Sequence, residues 1–540
     1  MKRNPCSIAL CLLCMLAFSG CAGESAGGGA ASPAQSESGA AQESAAAIDT
    51  SGLFSDRDLN GSYDESAAIA IQLNGDSAVC DNNAVSIDGT RITLTGEGVY
   101  LLSGTLTDGQ IVVDAGENDK VQLVLSGVDM TSADSAAIYA LEADKVFLTL
   151  ADGTENTLSN GGEYIAIDEN NIDAVVFAKT DLTLNGTGSL TLNAAAGHGV
   201  VSKDDLVITQ GSYTVTAASH GLSGKDSVSI AGGSFAITAG KDGIHAENAD
   251  DLSLGSLYIE SGSFTIAAQG DAVSASGAAE IDGGTFELTT GEGSASVTMS
   301  SSDAAGPGRP GEQVFQEETA AAEEDTVSQK GIKAEGGLTI GGGTFTLDTA
   351  DDGLHTGGEL LITDGAFTLS SGDDAIHADG ALTIQNGSFT IPYCYEGIEG
   401  LSITVEGGTF TITSHDDGLN AAGGADSSGF GGRSPDQFSA DGSDSFITIN
   451  GGSFTIVSTG DCVDSNGDLT INGGTLDLTC NGSGNTALDA DGTYANNGGE
   501  VTTNDGSENN PGQMGGGKGG FPPGGERPDR QPAAPPGTDG

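Results

Sequence analysis

A repeat of about 22 residues is the feature that most limits what this chain can fold into. An acid–Gly–aliphatic triplet, with small variants, recurs at Asp242-Gly243-Ile244, Asp352-Gly353-Leu354, Asp374-Ala375-Ile376, Glu396-Gly397-Ile398, Asp417-Gly418-Leu419 and Asp461-Cys462-Val463. From Asp352 onward the steps are 22, 22, 21 and 44 residues. His198-Gly199 and His220-Gly221 hold the same place 44 and 22 residues before Asp242. An aromatic position repeats alongside, at Tyr213, Phe235, Phe264, Phe286, Phe345, Phe367, Phe389, Phe410 and Phe454. Each unit holds three short runs of alternating apolar and polar residues separated by Gly, Asn or Asp, which reads as three strands joined by turns. One such unit cannot bury its own apolar face. Stacked units can, because neighbouring coils pair their strands at about 4.8 Å and pile like side chains on like.

The predicted fold is therefore all-β: a single-stranded right-handed parallel β-helix of roughly 15 coils of 21–22 residues, its hand following from strand twist and crossover sense. The repeat places Ile244, Leu354, Ile376, Ile398, Leu419 and Val463 inside, with Gly making the bend. The acid before the bend and the residue two after it are expected to point outward.

The N-terminus carries Lys2 and Arg3, an apolar run from Ile8 to Phe18 and small residues leading into Cys21. The run is too short to span a bilayer and reads as a signal peptide over residues 1–20. Leu16 to Cys21 resembles a bacterial lipobox, with Phe18 where Leu is usual, and this implies lipidation of Cys21. The expected organisation continues with a lipid-anchored flexible linker over 21–64, the β-helix over 65–495 and a disordered Gly/Pro-rich tail over 496–540. Residues 291–329 and 422–443 lack strand alternation and should loop out between coils. The expected location is the extracellular face of the cell membrane.

The chain has 77 acidic against 17 basic residues, a formal charge of −60. Such a surface repels nucleic acid and attracts divalent cations. Cys80, Cys394, Cys462 and Cys480 are too few and scattered for a disulfide framework.

Seven segments carry a family resemblance: Tyr100–Leu106, Asp108–Val113, Leu123–Val128, Lys145–Leu150, Asn156–Leu158, Asp181–Gly186 and Lys203–Leu206. In this order the chain resembles, over about residues 65–495, bacterial lipoproteins described as carbohydrate-binding-domain-containing proteins. The resemblance implies a pectate-lyase-like β-helix that binds calcium and plant-type polysaccharides such as cellulose and polygalacturonate.

The repeat itself puts carboxylates one coil apart, about 4.8 Å, where repulsion raises their pKa unless a cation lies between them. Asp242, Asp351, Asp352, Asp373, Asp374, Asp416, Asp417 and Asp461 are the expected Ca²⁺ ligands, doubled acids marking three equivalent turns. His355, His377 and Glu399, two residues past the bend, together with Tyr393 and Tyr395 as a possible ring platform, are candidate ligand-binding residues. If the scaffold is a lyase, Lys330 and Lys333 are the candidate bases, one coil before Asp352. The leading expectation is calcium-dependent polysaccharide binding by a monomer, with a pectate-type lyase and a structural adhesin or spacer as alternatives.

Overall fold

Alternation becomes strand in the computed structural model, which describes residues 48–165, 169–251, 253–299, 327–422 and 445–511. Strands align in three rows, each strand pairing in parallel with its equivalents one coil earlier and later. One row aligns Phe235, Phe264, Phe286, Phe345, Phe367, Phe389, Phe410 and Phe454. A second aligns Ile208, Ile230, Ile259, Ile281, Ile340, Ile362 and Ile384. The third is built of short strands such as Ile244–Ala246, Val273–Ala275, Ile332–Ala334 and Leu354–Thr356. The fold is the expected parallel β-helix, its first coil carrying two antiparallel pairs, Ile69–Gly75 with Ala78–Val79 and Val85–Asp88 with Arg91–Leu94.

Strand Thr344–Thr349 shows how sequence becomes core: Phe345, Leu347 and Thr349 are buried while Thr344, Thr346 and Asp348 face out. From Phe235 to Phe454 the rings stack at 4.5 to 4.8 Å with planes within 5°. Free aromatic pairs prefer an offset or edge contact. Here the strand spacing of about 4.8 Å imposes the overlap, and burial, about 1.5–3 kcal/mol per Phe, outweighs it.

Glycine in the triplet serves clearance rather than a bend. A Cβ at Gly353 would lie 2.5 Å from the Ala375 carbonyl oxygen of the next coil. Left-handed backbone is needed elsewhere, as at Gly343 (φ 120°), two residues before Phe345.

Two boundaries differ from the sequence reading. Residues 48–64 do not form a free linker: Ser55 caps a helix at Asp56–Leu59, and Asp58, 1 % exposed, bonds Ser55, Thr183 and Lys145. Arg57 also lies over the Phe147 ring, 4.3 Å from its centroid. Polar and cation–π contacts hold this segment, together with Phe54, whose ring lies 6.1 Å from that of Tyr258. At the other end, Glu500–Thr503 pairs with Thr475–Cys480, carrying the stack past residue 495. Residues 291–299 pack back on the coils, with Ser294 bonded to Asp348. The signal peptide, Cys21, residues 21–47, most of both inserts and residues 512–540 lie outside the described residues. Cys80, Cys394, Cys462 and Cys480 are free thiols.

Candidate metal and carbohydrate site

Along the third row, parallel pairing stacks His245, Ser274, Lys333, His355, His377, Glu399, Asn420 and Asp464 in one column. Backbone hydrogen bonds between coils stack Asp242, Asp271, Lys330, Asp352, Asp374, Glu396, Asp417 and Asp461 in a second column at the preceding turn. Asp271 escaped the sequence reading because it follows Asp242 by 29 residues; the signal was present, since Asp271-Ala272-Val273 has the same form as Asp374-Ala375-Ile376.

These side chains leave the core as expected, yet they do not form an open charged edge. Asp352 is 0 %, His377 1 %, Asp351 3 % and Asp374 4 % exposed, and Lys330, His355, Glu396, Glu399 and Asp416 are buried as well. Coils about 4.8 Å apart leave no room for water between long outward side chains, so the columns pack as a polar layer.

In the middle coils, side chains supply the positive charge. Lys330 Nζ lies 2.6 Å from Asp352 Oδ2 and 3.1 Å from Asp351 Oδ1, and His355 Nδ1 is 2.8 Å from Asp352 Oδ2. Burial alone raises Asp352; Lys330 and the His355 hydrogen bond outweigh it and hold this carboxyl below the ordinary range. Burial and the charge of Asp352 push Asp351 up to about 7. Asp373, partly buried, brings a carboxylate oxygen to the same group. One coil on, His377 Nδ1 lies 3.2 Å from Asp374 Oδ2 and 3.1 Å from Glu399 Oε2, with Nε2 3.1 Å from Asp379 Oδ1. Burial opposes a charged ring, and those carboxylates overcome it, holding His377 well above its ordinary value. Of the expected calcium positions, Asp351, Asp352 and Asp374 thus already face Lys330 or His377.

The C-terminal coils are different. Asn420 Nδ2 donates to Glu396 Oε2 at 2.9 Å, while Asn420 Oδ1 is buried without a hydrogen-bond partner. Glu396 is held well above the carboxylate range by burial and then by Glu399, Asp374 and Asp417. Asp417 is raised by burial and then by Asp464, Asp416 and Asp461. Carboxylate oxygens of Asp461, Asp464 and Asp489 also converge within 4.8 Å. Carboxylates plus an orphaned amide oxygen are a hard, oxygen-only donor set, which fits Ca²⁺. Asn420 stands two residues past the bend, where the repeat expects an outward side chain but does not show that its amide oxygen lacks a donor.

Tyr393 and Tyr395 do not make a joint platform. Strand Ser388–Tyr393 ends between them; Tyr393 is 40 % exposed, whereas Tyr395 is buried with its hydroxyl on Asp416. Nor do Lys330 and Lys333 make a pair of bases. Lys330 is closed between two aspartates, and Lys333, 2.8 Å from Glu335 Oε1, is raised despite burial by Glu335 and Asp271. A base for proton abstraction needs the opposite shift.

A groove of about 540 Å³ lies beside these coils, lined by Phe446, Thr448, Asn466, Asp468, Thr470 and Asp491 among others. Phe446 is 37 % exposed. Its coil equivalents are Ser402 and Asp468, so an aromatic among polar residues was the sequence signal for it. The Asn466 N–H donates to the Ala421 carbonyl, one residue after Asn420, linking groove and acidic column.

A protein family described as carbohydrate-binding domain-containing protein matches residues 88–375 and 373–510. A carbohydrate-binding domain-containing protein of Acetivibrio thermocellus is 39% identical over 150 residues, 27% of this chain and 52% of that relative. The chain thus spans about half the length of the curated relative it matches. The solved structure of the polysaccharide lyase-like protein from C. thermocellum, a gadolinium derivative, is 37% identical with a TM-score of 0.41, covering 42% of this chain and 92% of that one.

Proposed function

The chain belongs to the carbohydrate-binding domain-containing protein family, and from that premise we propose that it binds polysaccharide at the cell surface with the help of calcium. The observation that carries this reading is the pairing, in the C-terminal coils, of an oxygen-only set around Asn420 with the groove of Phe446. Asp461, Asp464 and Asp489, whose carboxylate oxygens converge, are the residues that would hold the ion, with Asp417, raised in part by Asp464 and Asp461, and Glu396 and Asn420 on the same edge. Bound calcium supplies positive charge to buried carboxylates, and it also lets a protein of charge −60 accept an acidic polymer. Phe446 offers a flat apolar face for a sugar ring, and Thr448, Thr470 and Asp468 offer hydroxyl and carboxylate groups to its edges.

Plant-type or acidic polysaccharide is the ligand class we infer. Export and lipidation at Cys21 would fix the monomeric helix on the extracellular face, where an extended polymer can lie along the coils. The test is retention of the purified chain on insoluble cellulose and on immobilised polygalacturonate, with calcium or with chelator. We expect retention in calcium, a marked loss in chelator, and a further loss for Phe446→Ala without change in melting temperature. No retention on any polysaccharide overturns the binding reading; retention indifferent to chelator overturns the calcium part.

A further inference from the structure

We propose that His220, Asp242 and His245 form a binding site for a divalent transition metal such as Zn²⁺, apart from the oxygen-only coils and independent of the calcium reading. Toward the N-terminal end of the outer columns the residues are imidazoles. The His198 and His220 rings stack at 5.0 Å, and His220 and His245 at 4.1 Å with a 23° tilt. Asp242 Oδ2 lies 3.3 Å from His220 Nδ1 and 2.7 Å from His245 Nδ1.

His245 Nε2 is 2.9 Å from Glu247 Oε2, which places a proton on Nε2; burial opposes a charged ring, but Asp242 and Glu247 overcome it, so a metal would take Nδ1 in exchange for a proton. That Nδ1 is buried without a hydrogen-bond partner; its short approach to Asp242 is out of hydrogen-bond alignment. His220 Nδ1 gives its lone pair to the Asp242 backbone N–H, a long bond of 3.3 Å that a bound metal would displace. Asp242 Oδ1 accepts the Asp271 N–H at 2.9 Å, leaving Oδ2 to face the two nitrogens.

Two imidazole nitrogens and a carboxylate oxygen therefore converge, a donor set that a metal ion would take in exchange for the His245 Nδ1 proton and the His220 backbone bond. An N₂O set selects borderline ions over Ca²⁺, which prefers six to eight oxygens. At Zn–N distances of about 2.0–2.1 Å, tetrahedral ligand atoms stand about 3.3 Å apart, the separation found between His220 Nδ1 and Asp242 Oδ2. Capture turns the Nδ1 edges of the stacked rings toward each other and leaves one position open. Glu247, fixing the far nitrogen of His245, is the carboxylate partner that metal-binding imidazoles commonly have. Side chains of His220, Asp242 and His245 remain 13 to 15% exposed, enough for an ion to enter.

The test uses the untagged full chain and Co²⁺ as a spectroscopic probe. We expect a single equivalent of Co²⁺ to give visible ligand-field bands, displaced by equimolar Zn²⁺ and unmoved by excess Ca²⁺. His220→Gln and His245→Gln should each abolish the bands, and Glu247→Gln should weaken binding roughly tenfold. Glu396→Gln combined with Asp417→Asn should leave the bands unchanged. Circular dichroism melting checks that each variant folds, and Asp242→Asn, nearly equal in shape, replaces any His variant that does not. Absence of bands in the wild-type chain, or bands that survive His245→Gln or Asp242→Asn, overturns the proposal.

Discussion

The Lys330 ammonium lies 2.6 Å from Asp352 Oδ2, a carboxylate with no exposed surface at all. A single lysine thus does in one coil what a metal ion is proposed to do farther along. Lys330→Met removes that charge and leaves two buried aspartates facing each other. Breaking one side of a buried ion pair costs about 3–5 kcal/mol, and urea unfolding at neutral pH should show a loss of that size. A loss below about 1 kcal/mol, typical of exposed pairs, would mean the ammonium is dispensable.

Phe345, fully buried between Phe286 and Phe367, should behave as a ladder rung. Phe345→Ala is expected to cost about 3–5 kcal/mol. Phe345→Leu should cost much less, because Leu476 already occupies the equivalent position after Phe454. Equal losses for the two variants would show that ring stacking, rather than filled volume, holds the ladder.

Stability in chelator should depend on pH through Glu396 and Asp417, both held well above the usual carboxylate range, by burial first. For such a group the folded chain keeps a proton that the unfolded chain has released. Its stabilising effect is complete below the unfolded value of about 4 and is lost as pH rises through the folded-state value. The melting temperature in chelator should therefore fall as pH rises above about 4, and saturating calcium should flatten the slope. Glu396→Gln with Asp417→Asn should melt higher than wild type in chelator at the alkaline end, yet gain little from calcium. A flat wild-type profile in chelator would contradict this account of the acidic column.

Lysine geometry bears on the lyase reading directly. With Lys330 enclosed and Lys333 held protonated beside Glu335, polygalacturonate incubated with the protein and calcium should yield no sustained rise in ultraviolet absorbance from unsaturated product. Product formation that Lys333→Ala abolishes would restore the eliminase.

Docking of residues 48–64 rests on Asp58, whose carboxylate meets Thr183 and Lys145. Asp58→Ala should release this segment and make it the first site cut in limited proteolysis, with little change in the melting of the coils. A digestion pattern identical to wild type would show that Phe54 and Arg57 hold it unaided.

Much of this molecule was legible as text. Strict recurrence of Phe345, Phe367 and Phe389 determined the stack, because identical side chains at a period of about 22 residues can only be buried by one another. The triplet likewise fixed which residues share a column, and Lys333 pairs with His355 as the spacing predicted. Spacing could not say how deep a column lies or which charge answers which. A one-dimensional period gives register, whereas burial and ion pairing depend on side chains closing over one another across coils. Hence Lys330 enters between Asp351 and Asp352, the Asn420 oxygen is left without a donor, and Asp242 meets two imidazoles instead of a second acid. Tertiary structure decided those three outcomes because each turns on atoms near the ends of side chains, whether within one coil or between neighbouring coils, where a shift of about an ångström separates a hydrogen bond from none.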